Sequence, residues 1–290
     1  MAGVVLQQPE LGMLTGPTRL AVWGDPISHS RSPRLHAAAY GVLGLDWEYG
    51  RRQVTADAFA DHLADLDATW RGLSLTMPLK TVAARTARSL DEDARRTGAV
   101  NTFLLTDDGP HGFNTDVGGL ARALEEIGVH SPSAVRVLGA GATATSAVVS
   151  AARVGADLIE VRARRPEAAE SLRTLGDALG VEVRIRAIDD DRVDPVDATI
   201  AALPGGTDLG PVADILASGS GPLVDVVYGG WPTPLAQAWS RAGVAAHDGL
   251  GMLLHQALLQ VRVFVTGDPG RPVVHEDAML AAMRAALVGD

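Results

Sequence analysis

Residues 135–149 have the sequence VRVLGAGATATSAVV, and this stretch predicts the architecture of the second half of the chain. A predicted strand over 134–138 leads directly into a glycine-rich turn, and a predicted helix over 143–154 follows it. The turn fits the pattern G-x-G-x-x-G/A at Gly139, Gly141 and Ala144. In dinucleotide-binding folds these positions permit a tight turn, close approach of the backbone to a pyrophosphate, and close packing of the helix on the sheet.

The turn therefore predicts a dinucleotide site. The phosphates would lie at the helix N-terminus, where free N–H groups and the helix dipole favour anions. The alternative is an ordinary turn between a strand and a helix, because a glycine pattern alone is weak evidence. The turn residues expected to line the site are Gly139, Ala140, Gly141, Ala142 and Thr143.

The end of the next predicted strand, 158–162, indicates which dinucleotide binds. An NAD site places Asp or Glu at this strand end, where it binds the ribose 2′-hydroxyl. Here the strand continues into Ala163, Arg164 and Arg165, and Glu160 lies earlier, within the strand. Guanidinium groups suit a 2′-phosphate because they form paired, charge-assisted hydrogen bonds. These residues predict NADP(H) as the cofactor, and the alternative is a solvated basic loop end.

Regular alternation of strands and helices continues after the glycine turn, which indicates a parallel sheet with right-handed crossovers. The predicted strands are 134–138, 158–162, 181–188, 198–203 and 223–228, and the predicted helices are 143–154, 166–179 and 235–242. This part of the chain is expected to form a Rossmann-type, doubly wound cofactor domain over 120–248.

The first half of the chain has shorter elements, and we expect it to form a separate α/β substrate domain. Predicted strands cover 19–23, 72–76 and 102–106, predicted helices cover 56–66 and begin at Ser32, after Pro78 and at Asp116, and 107–110 is a predicted turn. Ser32 is expected to cap a helix whose first position is Pro33. The substrate domain spans 18–119 and is completed by 249–290, with closing helices at 250–265 and 276–287, while 1–17 is expected to be a loose leader.

Composition excludes several classes of protein. The 290 residues include 25 Lys+Arg and 35 Asp+Glu, a net charge of −10, which argues against a nucleic-acid partner. The absence of cysteine excludes disulfides, thiolate catalysis and Cys-ligated zinc, and no metal site is indicated. No apolar run reaches the ~18 residues of a membrane span, and the start of the chain lacks a basic n-region. We expect a cytoplasmic protein, either a monomer or a homodimer.

Lys80 is the single lysine of the chain, beside 24 arginines. Arginine stays protonated, whereas a lysine can lose its proton in a tuned site. Lys80 follows Thr76 and Pro78 at a predicted strand end, and Asn101 and Asp116 fall at other junctions, where α/β sites are usually built. Lys80 and Asp116 are therefore a candidate proton donor–acceptor pair. The alternatives are a surface lysine, a helix N-cap for Asp116 and a turn residue for Asn101.

Several blocks of sequence resemble the shikimate dehydrogenase family, and they occur in family order from about residue 20 to 266. The blocks are GDPISHSRSPRLH at 24–36, LTMPLK at 75–80, GAVNT at 98–102, GFNTD at 112–116, DVVY at 225–228, TPL at 233–235 and GLGMLLHQA at 249–257. The resemblance implies that NADPH reduces 3-dehydroshikimate to shikimate, reversibly, in aromatic amino-acid biosynthesis.

The resemblance also implies roles for individual residues. Ser28 and Ser30 would bind the substrate carboxylate, and Lys80 and Asp116 would form the catalytic pair. The ring hydroxyls and the carboxylate would be bound by Thr76, Asn101 and Gln256. Tyr228 and the segment 249–252, which includes Gly249 and Met252, would border the substrate and the nicotinamide.

The chain departs from the family pattern at several positions. These are Ser74 in place of a usual Asn, Ala142 in place of a common Gly, Ala163 in place of a common Asn, and Gly229-Gly230-Trp231 in place of a frequent Asn-Pro. Three alternatives stay open: a quinate/shikimate dehydrogenase that uses NAD or has relaxed specificity, another oxidoreductase of this architecture, and a non-catalytic NADP-binding paralogue. The presence of both Lys80 and Asp116 argues against the last of these.

Overall fold

The computed structural model describes residues 18–288, which form two compact units. One unit runs from the start of the described chain to Thr115 and resumes at Gln256, and the other is Asp116–His255. The predicted domains change at 119 and 249, whereas the units change at Thr115 and Gln256. The predicted leader, 1–17, lies outside the described residues.

Twelve strands and eleven α-helices are present in residues 18–288. The strands are β1 (Thr18–Gly24), β2 (Trp47–Gln53), β3 (Trp70–Leu75), β4 (Ser89–Leu90), β5 (Thr102–Thr106), β6 (Gly109–Phe113), β7 (Ala134–Leu138), β8 (Leu158–Ala163), β9 (Glu182–Ala187), β10 (Ala198–Ala201), β11 (Leu223–Asp225) and β12 (Ala246–His247). The helices are α1 (Ser32–Leu43), α2 (Phe59–Ala64), α3 (Lys80–Thr86), α4 (Glu92–Thr97), α5 (Thr115–Glu126), α6 (Ala142–Arg153), α7 (Glu170–Leu179), α8 (Pro211–Ser218), α9 (Pro234–Arg241), α10 (Leu250–Thr266) and α11 (Glu276–Val288).

The first unit contains a mixed six-stranded sheet in the order β2-β1-β3-β5-β6-β4. Strand β1 pairs in parallel with β2 and β3, and β5 pairs antiparallel with β3 and β6. Its core includes Trp23, Phe59, Leu73 and Phe103, whose side chains are fully buried. Burial of each such side chain contributes about 1.5–3 kcal/mol to stability.

The second unit contains a six-stranded sheet in the order β12-β11-β10-β7-β8-β9, and all of its strand pairs are parallel. Counted from β7, this is the order 3-2-1-4-5-6 of Rossmann folds, in which the chain reverses direction across the sheet between β7 and β10. Dinucleotides bind at this switch point, outside the carboxyl ends of the strands. The predicted α/β class, with a Rossmann-type second domain, is confirmed.

Local predictions agree best where periodicity is strong. Strands β5 and β7 have the predicted bounds, while β2, β4, β6, β12, α4 and α8 were not predicted. The predicted turn over 107–110 is partly wrong, because β6 already begins at Gly109 and forms a hairpin with β5. The capping prediction for Ser32 is also wrong, because Ser32 is the first residue of α1 and Arg31 holds the cap position without a side-chain hydrogen bond.

None of the helices within residues 18–288 combines the length and the apolar character that a bilayer crossing requires.

Candidate active site

The loops after β1 and β3 lie against each other because Gly24 has no side chain. A Cβ atom at Gly24 would lie 2.3 Å from Thr76 Cγ2 and 2.9 Å from the Met77 carbonyl oxygen. Two backbone hydrogen bonds join the loops, from Asp25 N–H to the Met77 carbonyl and from Thr76 N–H to the Trp23 carbonyl, both 2.9 Å. The segments that carry the predicted serines and Thr76 are therefore held at neighbouring strand ends.

The three serines of the 28–32 segment lie in different environments. Ser28 is exposed, and its carbonyl oxygen accepts a hydrogen bond from Arg51 Nη1. Ser30 is half-buried, and its hydroxyl oxygen accepts the Ser32 N–H at 3.3 Å. Ser32 is 6% exposed and its hydroxyl hydrogen-bonds the Tyr49 hydroxyl. The bond from Ser32 to Tyr49 was not predicted, since the sequence indicated only a helix cap at Ser32.

Lys80 is the first residue of α3, and its backbone is fixed from two sides. The Leu79 N–H donates to the Thr76 carbonyl oxygen at 2.7 Å, and this bond closes the turn that leads into the helix. The Val100 N–H donates to the Lys80 carbonyl oxygen at 2.9 Å. These two bonds anchor the start of α3 to the Thr76 loop and to Val100, the residue that precedes Asn101. Lys80 itself is half-buried.

Asn101 is 2% exposed, and its side chain bonds Thr102, Thr115 and Gln256, all of which belong to the first unit. Its Oδ1 accepts the Thr115 N–H at 2.9 Å and the Thr102 hydroxyl at 2.8 Å. Its Nδ2 donates to Thr115 Oγ1 at 2.9 Å and to Gln256 Oε1 at 3.5 Å. The side chain of Asn101 thus brings together the start of β5, the first residue of α5 and helix α10.

Asp116 follows Thr115 directly, so the bonds from Thr115 to Asn101 fix the backbone immediately before it. Asp116 lies in the first turn of α5 and is 5% exposed. A carboxylate is favoured at this position because the N-terminus of a helix carries a partial positive charge. The N-cap position that was the alternative for Asp116 is not observed, because α5 already begins at Thr115.

The glycine turn has the backbone that a phosphate site requires. Gly139 has a φ of +119°, and a Cβ there would lie 2.6 Å from the Ala202 carbonyl oxygen, so only glycine fits. No atom lies within 4 Å of a Cβ built on Gly141, the residue that precedes α6 and that caps it without a side-chain bond. Ala144 is fully buried beneath the turn. The first N–H groups of α6, from Ala142 and Thr143 onward, are not bonded to a capping side chain, so the turn fits a bound pyrophosphate.

Arg164 and Arg165 follow β8 as exposed residues. Within residues 18–288, neither side chain has an ion pair, whereas most other arginines of the second unit pair with carboxylates or bond to backbone carbonyls. Ala163 is buried at the end of β8, where its carbonyl oxygen accepts the Ile188 N–H at 2.9 Å. The two guanidinium groups therefore fit the phosphate that distinguishes NADP from NAD.

Glu160 is unsuited to a ribose because it is buried and bound by arginines from three strands. Its Oε1 accepts from Arg136 Nε at 2.6 Å and Arg162 Nε at 2.8 Å, and Arg186 Nε lies 3.0 Å from Oε2. Burial alone raises the pKa of this carboxyl, but the hydrogen bonds and charges of Arg162 and Arg136 outweigh it and hold the pKa below its ordinary value. We call these four residues the ionic cluster; sequence analysis did not predict it.

A second carboxylate organises the loop that carries Tyr228. Asp225, at the end of β11, accepts the Thr233 hydroxyl at 2.8 Å and the Val227 N–H at 3.3 Å. Burial raises the pKa of Asp225. Because β11 ends at Asp225, the predicted strand over 223–228 is too long, and the half-buried Tyr228 lies in the following loop.

The segment before α10 packs tightly against the same loop. A Cβ on Gly249 would lie 2.2 Å from the Val226 carbonyl oxygen, and the Gly249 N–H donates to the Val227 carbonyl at 3.0 Å. Met252 is buried in the core of the second unit. The segments that were predicted to border the nicotinamide therefore pack together within that unit.

Comparison with known proteins identifies relatives over nearly the whole chain. Residues 22–103 match the family model described as the shikimate dehydrogenase substrate binding domain. The shikimate dehydrogenase (NADP(+)) of Methanothermobacter thermautotrophicus is 33% identical over 277 residues, which cover 92% of this chain and 98% of the relative. The enzyme of the same name from Methylococcus capsulatus is 38% identical, over 84% of this chain and 90% of the relative.

Solved structures give the same result. The crystal structure of Mycobacterium tuberculosis shikimate dehydrogenase has a TM-score of 0.83 and 38% identity, and covers 93% of this chain and 100% of its own. The shikimate 5-dehydrogenase of Thermus thermophilus in complex with NADP(H) and shikimate has a TM-score of 0.77 and 29% identity, over 93% of this chain and 99% of its own.

Proposed function

The chain belongs to the shikimate dehydrogenase family, and we propose that the residues of the candidate active site carry out its NADPH-dependent, reversible reduction of 3-dehydroshikimate to shikimate. The observation that supports this assignment best is the arrangement around Asn101. Its side chain bonds both Thr115, the residue before Asp116, and Gln256. The polar residues of the sequence motifs are therefore preorganised by direct hydrogen bonds.

In the proposed mechanism Lys80 moves the proton and Asp116 assists it. When bound, NADPH supplies the hydride that reduces the carbonyl carbon. Lys80 gives a proton to the carbonyl oxygen in the reduction and accepts it again in the oxidation, as a general acid and base. If Lys80 acts only as a fixed positive charge, an arginine in its place should keep the activity.

We propose that the remaining motif residues bind and orient the substrate. Ser28 and Ser30 bind the carboxylate, and Thr76, Asn101 and Gln256 bind the ring hydroxyls and the carboxylate. Tyr228, Gly249 and Met252 border the substrate and the nicotinamide. Since these groups are neutral, they orient the ring without a further charge that would compete with Lys80 for the proton.

The glycine turn and the two exposed arginines bind the cofactor in this proposal. The segment from Gly139 to Thr143 holds the pyrophosphate, and Arg164 and Arg165, beside Ala163, bind the 2′-phosphate. Glu160 is held by three arginines, so it is not available to a ribose 2′-hydroxyl. We therefore expect NADP to be preferred over NAD.

The finer biological setting is also a proposal. The chain has no cysteine and a net charge of −10, which suit a reducing compartment and argue against a nucleic-acid partner. We propose that the protein works in the cytoplasm, as a monomer or a homodimer. We also propose that residues 18–119 and 249–290 form the substrate domain and that residues 120–248 form the cofactor domain.

The test is an absorbance assay at 340 nm that compares NADP with NAD on shikimate and on quinate. We expect turnover with shikimate and NADP, and much lower kcat/KM with NAD or quinate. Comparable turnover of quinate with NAD would instead favour a quinate/shikimate dehydrogenase. Tight binding of NADPH without turnover of any cyclic hydroxy acid would support the non-catalytic alternative.

A further inference from the structure

Helix α10 presents a stripe of three side chains to the sheet of the first unit. Gln256, Gln260 and Phe264 are four residues apart, so they lie on one face of the helix. Gly72 allows this face to approach, since a Cβ there would lie 2.5 Å from the Phe264 ring. Ser74, two residues further along β3 and on the same face of the sheet, is then within reach of Gln260.

Gln260 is 2% exposed, and each end of its amide is bonded. Its Nε2 donates to the Asn101 carbonyl oxygen at 3.3 Å and to Thr102 Oγ1 at 3.1 Å. Its Oε1 accepts the Ser74 hydroxyl at 2.8 Å and lies 3.2 Å from His36 Nε2. Because a carbonyl oxygen can only accept, the amide has one orientation that satisfies all four neighbours.

The orientation of Gln260 determines the direction of the surrounding bonds. His36 Nε2 must carry a proton to donate to Oε1, so His36 Nδ1 accepts from the Tyr40 hydroxyl, 3.0 Å away. On the other side, the Tyr49 hydroxyl donates to Ser74 Oγ at 2.6 Å and accepts from Ser32. We call His36, Tyr40, Tyr49, Ser74, Thr102 and Gln260 the neutral network.

This network ends on residues of the candidate active site. Thr102 Oγ1 accepts from Gln260, so its own proton is free to point at Asn101 Oδ1, 2.8 Å away. Asn101 Oδ1 thus receives the Thr102 hydroxyl and the Thr115 N–H, and its Nδ2 is left for Thr115 Oγ1 and Gln256. A reversed Asn101 amide would face two donors with a donor, which is unfavourable in a buried site.

From these contacts we infer that Gln260 is a positioning residue of the reaction: its amide fixes the orientation of the Asn101 side chain through Thr102 and the Asn101 carbonyl. Gln260 need not touch the substrate to have this effect. The inference rests on the proposed role of Asn101 in substrate binding. An error of about 1 Å in a positioned group can reduce the rate about 100-fold, so loss of Gln260 should be measurable in the kinetics.

The first experiment compares Gln260→Leu and Thr102→Val with Arg262→Met in the full-length protein. Arg262 lies on the same helix and bonds Glu276 and the Pro269 carbonyl instead of the network, so its variant controls for a general loss of stability. We expect Gln260→Leu to lower kcat/KM for shikimate about 10- to 100-fold with little change in KM for NADP. Thr102→Val, which keeps the side-chain shape, should show a smaller loss of the same kind, and Arg262→Met should lower Tm only.

The second experiment uses Gln260→Glu, which is close in shape to the parent side chain. An ionised carboxylate would repel the Asn101 carbonyl oxygen, whereas a protonated one can donate to it as the amide does. Burial raises the pKa of a carboxyl group, so the protonated form of the introduced glutamate becomes more populated as pH falls. The ratio of kcat/KM for shikimate in this variant to that in the parent should therefore rise as pH is lowered, at temperatures where circular dichroism shows both folded.

The outcomes separate this inference from the proposed function. If Gln260→Leu and Gln260→Glu lower Tm but keep KM for shikimate and kcat within twofold of the parent at every pH, as Arg262→Met should, Gln260 is structural only and the inference is wrong. If the parent protein itself does not oxidise shikimate with NADP, the proposed function fails and the inference fails with it.

Discussion

The two sheets both bury polar side chains, but the neutral network and the ionic cluster are built in opposite ways. In the first unit every group of the network is uncharged, and the chain of hydrogen bonds ends at Asn101. In the second unit one carboxylate, Glu160, is held by Arg136, Arg162 and Arg186, and these guanidinium groups also bond the loop over 190–194.

The two clusters thus differ in the charge of their buried side chains. Neutral hydrogen bonds fix the orientation of amides and hydroxyls without adding charges, which suits the proposed substrate site. In the ionic cluster three guanidinium groups surround one carboxylate, and Arg186 also pairs with Asp190 and Asp194. Arg164 and Arg165, by contrast, have no ion pair within residues 18–288.

The largest effect is expected at Lys80, the cation anchored next to the neutral network. Lys80→Ala and Lys80→Arg should both lower kcat about 10²- to 10⁴-fold, because general acid–base catalysis is worth this much and arginine does not release its proton. The measurement is steady-state oxidation of shikimate by NADP. Arg85→Ala, an exposed position on the same helix, is the control and should keep parental activity. Full activity of Lys80→Arg would exclude proton donation by Lys80.

Removal of the charge from the ionic cluster should affect stability rather than substrate binding. Glu160→Gln removes the carboxylate that pairs with the buried Arg136 and Arg162, and loss of one partner from a buried ion pair costs about 3–5 kcal/mol. Urea unfolding measures the loss. The control is Glu182→Gln, which breaks a surface pair between Glu182 and Arg184, both on β9. It should cost less than about 1 kcal/mol. Equal losses in the two variants would contradict the distinction between buried and surface pairs.

The exposed arginines should determine cofactor choice. The double variant Arg164→Ala, Arg165→Ala should raise KM for NADP about 100-fold or more, because two charge-assisted bonds to a phosphate are lost and each contributes about 1.5–3 kcal/mol. KM for NAD should change little, since NAD lacks the 2′-phosphate. Arg184→Ala, another exposed arginine of the unit, is the control. An equal loss of affinity for NADP and NAD would place the 2′-phosphate elsewhere.

The most gradual effect is expected in the pH dependence of stability, and it arises in the neutral network. Burial lowers the pKa of His36 from 6.5 to about 3, with the bond to Gln260 acting in the opposite direction. The unfolded chain therefore takes up the proton first, so the stability from neutral His36 is full above about pH 6.5 and is lost as pH falls towards 3. The loss is at most about 1.4 kcal/mol per pH unit.

Urea unfolding from pH 7 to 4 measures this slope. His36→Gln should be less stable at pH 7 but should show a shallower decline, whereas His130→Gln, at an exposed position, should show the parental slope. The same slope in His36→Gln and the parent would show that another group causes the acid sensitivity.

Structural predictions from the sequence were confirmed where they depended on a local signal. The Gly139 turn, the alternation of strands and helices after it and the helix start near Asp116 depend on residues close together in the chain, and the structure contains each of them. Strand β2 was missed because WEYGRRQ has no alternation of apolar and polar residues. Its stability comes from parallel pairing with β1, a partner about 30 residues away.

The polar core was out of reach of sequence reasoning for the same reason. Gln260 carries no motif and bonds Ser74, 186 residues away in the chain. Ser32 was assigned to a helix cap because a serine before a proline is typical of one, but it is buried against Tyr49. Glu160 was noted only for its distance from the strand end, since the three arginines that bind it lie on three different strands.

The α/β class and the cofactor turn followed from the sequence alone, because residue type and spacing constrain backbone conformation over a few residues. The sequence also singled out Lys80 as the candidate for proton transfer, because it is the only lysine. Only the tertiary structure decided which polar side chains are buried and what they bond. Hydrogen bonds and ion pairs act over about 3 Å, so their partners are chosen by how strands and helices pack, and neighbours in the chain do not reveal them.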